Sequence, residues 1–515
     1  MKSGRRLAKR GSCGAGVGRF ELTASLSPRP DAGHHINNPA DSRTILRYIK
    51  SLAPADATNG SSLLCRWGIR LQRTKWGGIA DGHFRGSGFF RVDEHGGVFW
   101  FVDPDGGRFL SKGVNNVRLD ADHVGNTARV PYADACRRKY GSQHVWRAAA
   151  ADRLASWKFN TLGCWSDELV ATAGRSLLAT APTNALGASF KLHRRDQIFP
   201  DVFDPAYAAH IRERANDHCA RRCHDVGLLG TFIDNELYWS PDWRGADELL
   251  TLFLNLPSHR PGRNAAIARL QEHYREFSQF NAVWRTPARS WQELATMGRI
   301  EAPFFRMPPG GLNDALELKA NLASPARAAF SADCDAFLAI VADRYFEVSV
   351  SAIRAADRNH LVIGSRFGYQ AQSSVIAAAA RYVDVTSFNC YELDASAQIH
   401  AYAAGGKPCL ISEFSFRGDD SGLPNTHGAG PRVASQTERA QSFEHYVTAA
   451  LRNPAVVGYH WFEHADQPTE GRFDGENSNY GIVTIEDDPY AELTEAMTRV
   501  NAAAEQLHAN VVRIA

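Results

Sequence analysis

Leu228-Leu229-Gly230-Thr231-Phe232-Ile233-Asp234-Asn235-Glu236 is the stretch that decides the fold: an apolar run that ends in an acid, an amide and a second acid. A strand of a parallel sheet is covered on both faces and reads as such a run, and parallel neighbours need long crossovers between them. The pattern repeats on both sides of this stretch. Strands are expected at Phe109–Asn115, Phe159–Trp165, Ser176–Ala181, Leu228–Asn235, His360–Arg366, Val383–Asn389, Pro408–Glu413 and Val456–Glu463. Helices are expected near Trp146–Lys158, Pro205–Val226, Ala332–Ala356, Gln370–Ala380, Ala395–Ala404, Thr437–Arg452 and Tyr490–Gln506, with a short one before the third strand. In Thr437–Arg452 the residues Phe443, Tyr446, Val447, Ala450 and Leu451 fall on one helical face. Eight strands alternating with helices imply an α/β fold, a (β/α)8 TIM barrel over 109–507. The rival is an open doubly wound sheet, which usually carries a Gly-rich phosphate loop after its first strand. Lys112-Gly113-Val114-Asn115-Asn116 offers no such loop.

Upstream of the barrel, residues 76–108 read as a β-meander. Gly88-Phe89-Phe90-Arg91-Val92, Val98-Phe99-Trp100-Phe101-Val102 and Phe109-Leu110 are separated by turns at His95-Gly96-Gly97 and Asp103-Pro104-Asp105-Gly106-Gly107. Residues 1–75 are weakly patterned and read as a tail and small accessory region with one short helix near Thr44–Leu52. Between the fourth strand and its helix lies an insertion, 240–330, of roughly ninety residues, far beyond an ordinary connection. It carries helical runs near Asn264–Phe280 and Ser290–Met297 and a Pro/Gly-rich loop at Met307–Gly311. In a barrel it rises from the C-terminal face, where active sites sit, so a lid or cleft wall is expected.

Bulk composition narrows the function classes. The 515 residues are 44% hydrophobic, enough for a large core, and the net charge is +2. That balance points away from nucleic acid and from an acidic membrane surface, although Arg5, Arg6, Lys9 and Arg10 cluster in the expected tail. No run is long and apolar enough to span a membrane, and Met1–Arg10 is not followed by the apolar segment of a signal peptide. A cytoplasmic location is the default expectation, with export if the start is incomplete. Nine scattered cysteines fit reduced thiols better than a disulfide framework. Cys219 and Cys223, flanked by His218 and His224, lie four apart on a helix without a second ligand pair, so no metal is expected. No cofactor is expected either.

Polar and aromatic residues gather where the strands end. Asn115 and Asn116 follow the first, Trp165 the second, Asn235 and Glu236 the fourth, and Arg366 the fifth. Asn389 and Tyr391 follow the sixth, Glu413 the seventh, and Trp461 and Glu463 the eighth. One glutamate after a strand is most simply a loop ion pair. Two of them, after strands four and seven, face each other across the mouth of a barrel. Glycoside hydrolysis with retention needs two carboxyl groups about 5–5.5 Å apart, one attacking and one protonating the leaving oxygen. Their pKa values must be pushed apart. Burial against aromatics is expected to raise the acid, and cationic or hydroxyl donors to keep the nucleophile ionised.

With those residues in place, the chain resembles the clan A glycoside hydrolases, the retaining barrels with catalytic glutamates after strands four and seven. The resemblance implies that Glu236 is the acid/base, Glu413 the nucleophile, and Asn235 the contact to the sugar hydroxyl beside the anomeric carbon. It further implies that Tyr391 hydrogen-bonds the nucleophile and that Trp461 is the aromatic floor under the sugar being cleaved. A narrower resemblance, over about 76–501, is to the family 50 β-agarases. It rests on Phe232-Ile233-Asp234-Asn235-Glu236-Leu237, on His460-Trp461-Phe462-Glu463 with Asp466-Gln467-Pro468, and on the block Gly471-Arg472-Phe473-Asp474-Gly475-Glu476-Asn477-Ser478-Asn479-Tyr480-Gly481. It implies hydrolysis of β-1,4 links in an agarose-like galactan, so the partner is an oligo- or polysaccharide.

Several residues keep two readings. Arg366 and Asn389 either bind sugar, brace Glu413 or pack a strand end. Trp165 is a stacking platform or a core residue. Asp474, Glu476, Asn477 and Asn479 suit sugar hydroxyls, and the glycines beside them also mark ordinary turns. His460 and His464 are as well suited to structure as to catalysis. A transglycosidase shares the same two glutamates. A non-catalytic carbohydrate-binding barrel would have lost one of them, and an oxidoreductase would need the missing phosphate loop.

Overall fold

The computed structural model describes residues 72–511 apart from 193–197, 243, 305–323 and 369. The helix expected near Thr44–Leu52, the basic cluster and the Met307–Gly311 loop lie outside the described residues.

Ser111–Val114, Thr161–Leu162, Ala179–Thr180, Gly230–Thr231, Leu361–Val362, Thr386–Asn389, Cys409–Phe414 and Val456–Trp461 are successive strands, each parallel to the next. The third meets the fourth through the bridges Thr180–Leu228 and Thr183–Phe232. The fifth meets the sixth through Asp384 N–H donating to Val362 O (3.0 Å) and through Phe367 opposite Phe388. The eighth returns to the first, with Gly458 opposite Ser111 and Trp461 opposite Val114. The pairing therefore closes into a barrel. Closure leaves no sheet edge and directs every second side chain into the interior.

The interior is filled from both directions. Cys164, Ala181, Leu229, Phe232, Ile363, Val385, Leu410 and Val457 project from the strands into one apolar cluster. The meander Arg91–His95, Val98–Val102, Arg108–Phe109 adds Phe90, Phe101 and Phe109 to that cluster, together with Trp76. It thus plugs the end of the barrel where the strands begin. His460 takes an interior position through its bond to Ser111 (2.9 Å), and Gly113 makes room for it: a Cβ there would lie 2.3 Å from the imidazole. Burial first, and the Arg366 charge second, push His460 down to about 3, so it stays neutral.

The outer layer departs from a plain alternation. A helix at Pro131–Tyr140, with proline in its first turn, precedes Gln143–Ser156 in the first connection. Between strands two and three, where a short helix is expected, there is one 3-10 turn at Glu168–Thr172. Sixteen residues of connection with Gly174 and polar ends give too little apolar periodicity for more. The insertion forms helices at Leu249–Leu254, Pro261–His273, Phe277–Trp284 and Trp291–Thr296, followed by the long helix Pro325–Ala356. Tyr274 and Trp284 both donate to buried Asp333 of that helix (2.8 and 2.9 Å). The described insertion is therefore packed into the main core rather than standing free of it. Among the described residues, no helix is long and apolar enough to cross a membrane.

Candidate active site

Glu236 and Glu413 stand at the ends of strands four and seven, joined by one hydrogen-bond network. Asn389 is its centre. Its Nδ2 donates to Glu236 Oε1 (2.9 Å) and to Asn235 Oδ1 (3.1 Å), and its Oδ1 accepts from Ser412 Oγ (2.8 Å), next to Glu413. Arg366 Nη2 donates to Glu413 Oε1 (2.7 Å) and to Ser412 O (2.9 Å). Tyr391 OH donates to Glu413 Oε2 (2.9 Å), completing the shell around a carboxylate that is 4% exposed. Glu236 is half-buried.

The backbone is bent to make this cluster. Asn116, Trp165, Glu236 and Arg366 have φ of 57°, 61°, 47° and 44°, the left-handed region that side chains with a Cβ avoid. Each costs of order 1–3 kcal/mol, and such residues gather where geometry serves function. Glu236 N–H donates to Arg366 O (3.0 Å), and Arg244 Nη1 reaches Glu236 O (2.5 Å), so the bend is held from both sides. Gly368 lies under Glu236; a Cβ there would sit 3.3 Å from its Cγ.

The Arg366 guanidinium lies between Trp165 and Phe232, 4.6 and 5.2 Å from their centroids. These faces shield it from water and favour the cation. Trp165 stays 36% exposed in the mouth.

The electrostatics differ from expectation on one side. Burial raises Glu236, opposed by the bond from Asn389 and by the Arg366 charge, as suits an acid. Burial also pushes Glu413 up to about 7; Arg366 and Tyr391 pull it down, while the Glu236 charge adds to the rise. The expected donors to Glu413 are present, yet burial outweighs them. A charged Glu236 therefore makes ionisation of Glu413 harder. Replacing Arg366 by Met removes the cation that favours the charged form of Glu413. The acid limb of kcat/KM should move to higher pH, with the maximum lowered by about 10²-fold. An unmoved acid limb in the pH–rate profile would show that Arg366 does not control this ionisation.

Four other expected site residues belong to the framework instead. Trp461 is not the floor of the cleft. Its neighbours His460 and Phe462 point inward, so alternation turns Trp461 outward, against Phe414, Phe443 and Arg439, with Nε1 donating to Tyr480 O (2.9 Å). Phe462 takes the inner aromatic position, edge-on to Trp165 and Tyr391 at 6.2 and 6.4 Å. Asn115 is fully buried and spends its amide on Ser412 O (3.0 Å), Trp461 O (3.3 Å) and Cys164 N–H (2.9 Å). Glu463 is buried, with its oxygens held by Asn116 and Gln467. Asn477 ties down Thr426 and His427 (3.0 and 3.2 Å from their N–H groups).

Asp474 and Glu476 lie beside the mouth, both bound to Arg472 (2.9 and 2.7 Å). Burial works against the Arg472 charge, and the carboxylates of Glu476, Asp122, Glu463 and Asp474 outweigh it. Phe462 and Arg472 are two residues of the site that the sequence motifs do not single out. Counting by twos from His460 points to the first; no local signal points to the second, whose partner Asp122 is far away in the chain. Among the described residues, no group of three or more His, Cys, Asp and Glu is arranged to hold a metal ion.

Solved and curated β-agarases are similar to this chain. A solved exo-β-agarase superposes with a TM-score of 0.69 at 25% identity, over 85% of this chain and 68% of that one. A second agarase structure, AgWH50C, gives a TM-score of 0.66 at 25% identity, over the same shares. Among curated proteins, β-agarase B of Vibrio sp. (strain JT0107) is 29% identical over 503 residues, covering 83% of this chain and 50% of its own length. β-Agarase A of the same organism is 28% identical, covering 79% of this chain and 44% of its own. The chain thus spans about half the length of the curated relatives it matches. No family model matches it.

Proposed function

We propose that this protein is a retaining glycoside hydrolase on a (β/α)8 barrel that cleaves β-linkages in an agarose-like galactan. Glu413 attacks the anomeric carbon and expels the leaving oxygen, which takes its proton from Glu236. Glu236 then deprotonates a water that displaces Glu413 from the covalent glycosyl-enzyme. Tyr391 and Arg366 hold Glu413 in line, and Asn235 and Asn389 present their amides beside Glu236. Trp165 offers aromatic surface to the sugar, and Phe462 packs edge-on behind it. Asp474 and Glu476 accept from hydroxyls at the rim.

The observation that carries this reading is the Asn389 bridge, whose amide binds the Glu236 carboxyl at one end and the hydroxyl of Ser412, the residue before Glu413, at the other. The similarity to β-agarases supports the choice of substrate. The test is a product assay with agarose, neoagaro-oligosaccharides and a panel of aryl β-glycosides. Release of neoagarobiose is expected. Activity on other β-linked sugars alone would keep the two-glutamate chemistry and discard the galactan, and silence across the panel would discard both.

A further inference from the structure

Phe473 is 57% exposed, more than Trp165 in the mouth, whereas Tyr391 and Phe462 are buried. It occupies the tip of a tight turn. Gly475 N–H donates to Arg472 O (2.9 Å), Arg472 N–H donates to Glu476 O (2.8 Å), and Gly475 has φ 90°, which glycine adopts freely. The ring does not hang loose. Its face lies 5.3 Å from the Arg472 guanidinium, which lies 5.6 Å from the Phe462 ring on another side. Asp474, Glu476 and Asp122 bind that guanidinium at 2.9, 2.7 and 3.5 Å. One fixed cation therefore supports two rings, an inner one in the cleft and an outer one facing solvent. Contacts run without a break from Glu413 through Tyr391, Phe462 and Arg472 to Phe473.

A phenyl ring has no hydrogen-bonding group, and with Arg472 already on the ring its solvent-facing surface suits an apolar face. A pyranose does so through its C–H bonds, and a galactopyranose most of all, because its axial 4-hydroxyl leaves the hydrogens of C3, C4 and C5 together on one side. Asp474 and Glu476, flanking the ring in sequence, suit the hydroxyls at the edge of such a sugar.

We propose that Phe473 is the stacking platform of a distal subsite that holds a galactose unit of the polysaccharide outside the cleavage position, with Arg472 as its positioning residue. The proposal rests on the glycosidase reading above, and its test is a binding measurement without turnover. Protein carrying Glu236→Gln is run in native gels containing agarose, carrageenan or galactomannan. Retardation by agarose is expected. Adding Phe473→Ala should weaken it about tenfold in apparent Kd, and adding Phe473→Trp should preserve it. Equal retardation of the Phe473→Ala protein, or no retardation of the parent in any gel, would overturn the subsite. Hydrolysis by the wild-type protein is scored separately on agarose, neoagaro-oligosaccharides and the aryl β-glycosides. Hydrolysis without retardation would leave the glycosidase standing and remove the platform. Retardation lost with Phe473→Ala but no hydrolysis would do the reverse.

Discussion

Replacing Glu413 by Ala should lower turnover by at least about 10⁴-fold, because under the proposed mechanism the lost carboxylate is the group that forms the covalent bond. Azide should restore part of the rate. It enters the space left by the carboxylate and attacks the face that Glu413 attacks, so a β-linked substrate yields the α-glycosyl azide. Product anomeric configuration, read by NMR, checks the role more sharply than the rate does. A variant that turns over at near wild-type rate, or gives the β-azide, would take the nucleophile's role away from Glu413. The fold should survive. Arg366 loses its carboxylate partner but keeps Ser412 O and its place between Trp165 and Phe232.

Glu236→Gln should cost about 10²–10⁴-fold on natural oligosaccharides, whose leaving oxygen needs a proton. On an aryl glycoside with a very acidic phenol, the first step needs no acid. There the variant should show a burst of phenol and then a slow phase, since the glycosyl-enzyme waits for a base to activate water. Azide accelerates that second step from the Glu236 side and should give the β-azide with Glu236→Ala. Equal losses on good and poor leaving groups would contradict an acid/base role. The Gln side chain can still accept from Asn389 Nδ2, so the comparison isolates proton transfer from geometry.

Much of the architecture was legible because a buried parallel strand has a strong signature. The expected stretch Leu228–Asn235 contains Gly230–Thr231 and the bridges at Leu228 and Phe232 that tie it to the third strand. The expected segment Pro408–Glu413 overlaps the strand Cys409–Phe414. The ordering of Glu236, Asn389, Tyr391 and Glu413 along the chain was legible for the same reason: each follows a recognisable strand. Side-chain direction was less so. Trp461 and Phe462 are neighbours that turn to opposite sides where the eighth strand ends, and a one-residue choice exchanges the cleft for the core. The charge state of Glu413 was not legible at all. It depends on how completely the barrel mouth excludes water, a property of packing rather than of any residue type. Arg472 was hidden for a third reason, since its meaning comes from Asp122 and Phe462 meeting around it.

The Asn389 bridge also bears on the spacing of strands four and seven. A gap of about 5–5.5 Å between two such carboxyl groups leaves no room for water on the far face of the sugar, whereas one of about 6.5–9.5 Å admits it and inverts the product. On the reading proposed here, the reach of a single amide, pinned to Glu236 at one end and to Ser412 at the other, helps to decide which of two anomers this barrel delivers.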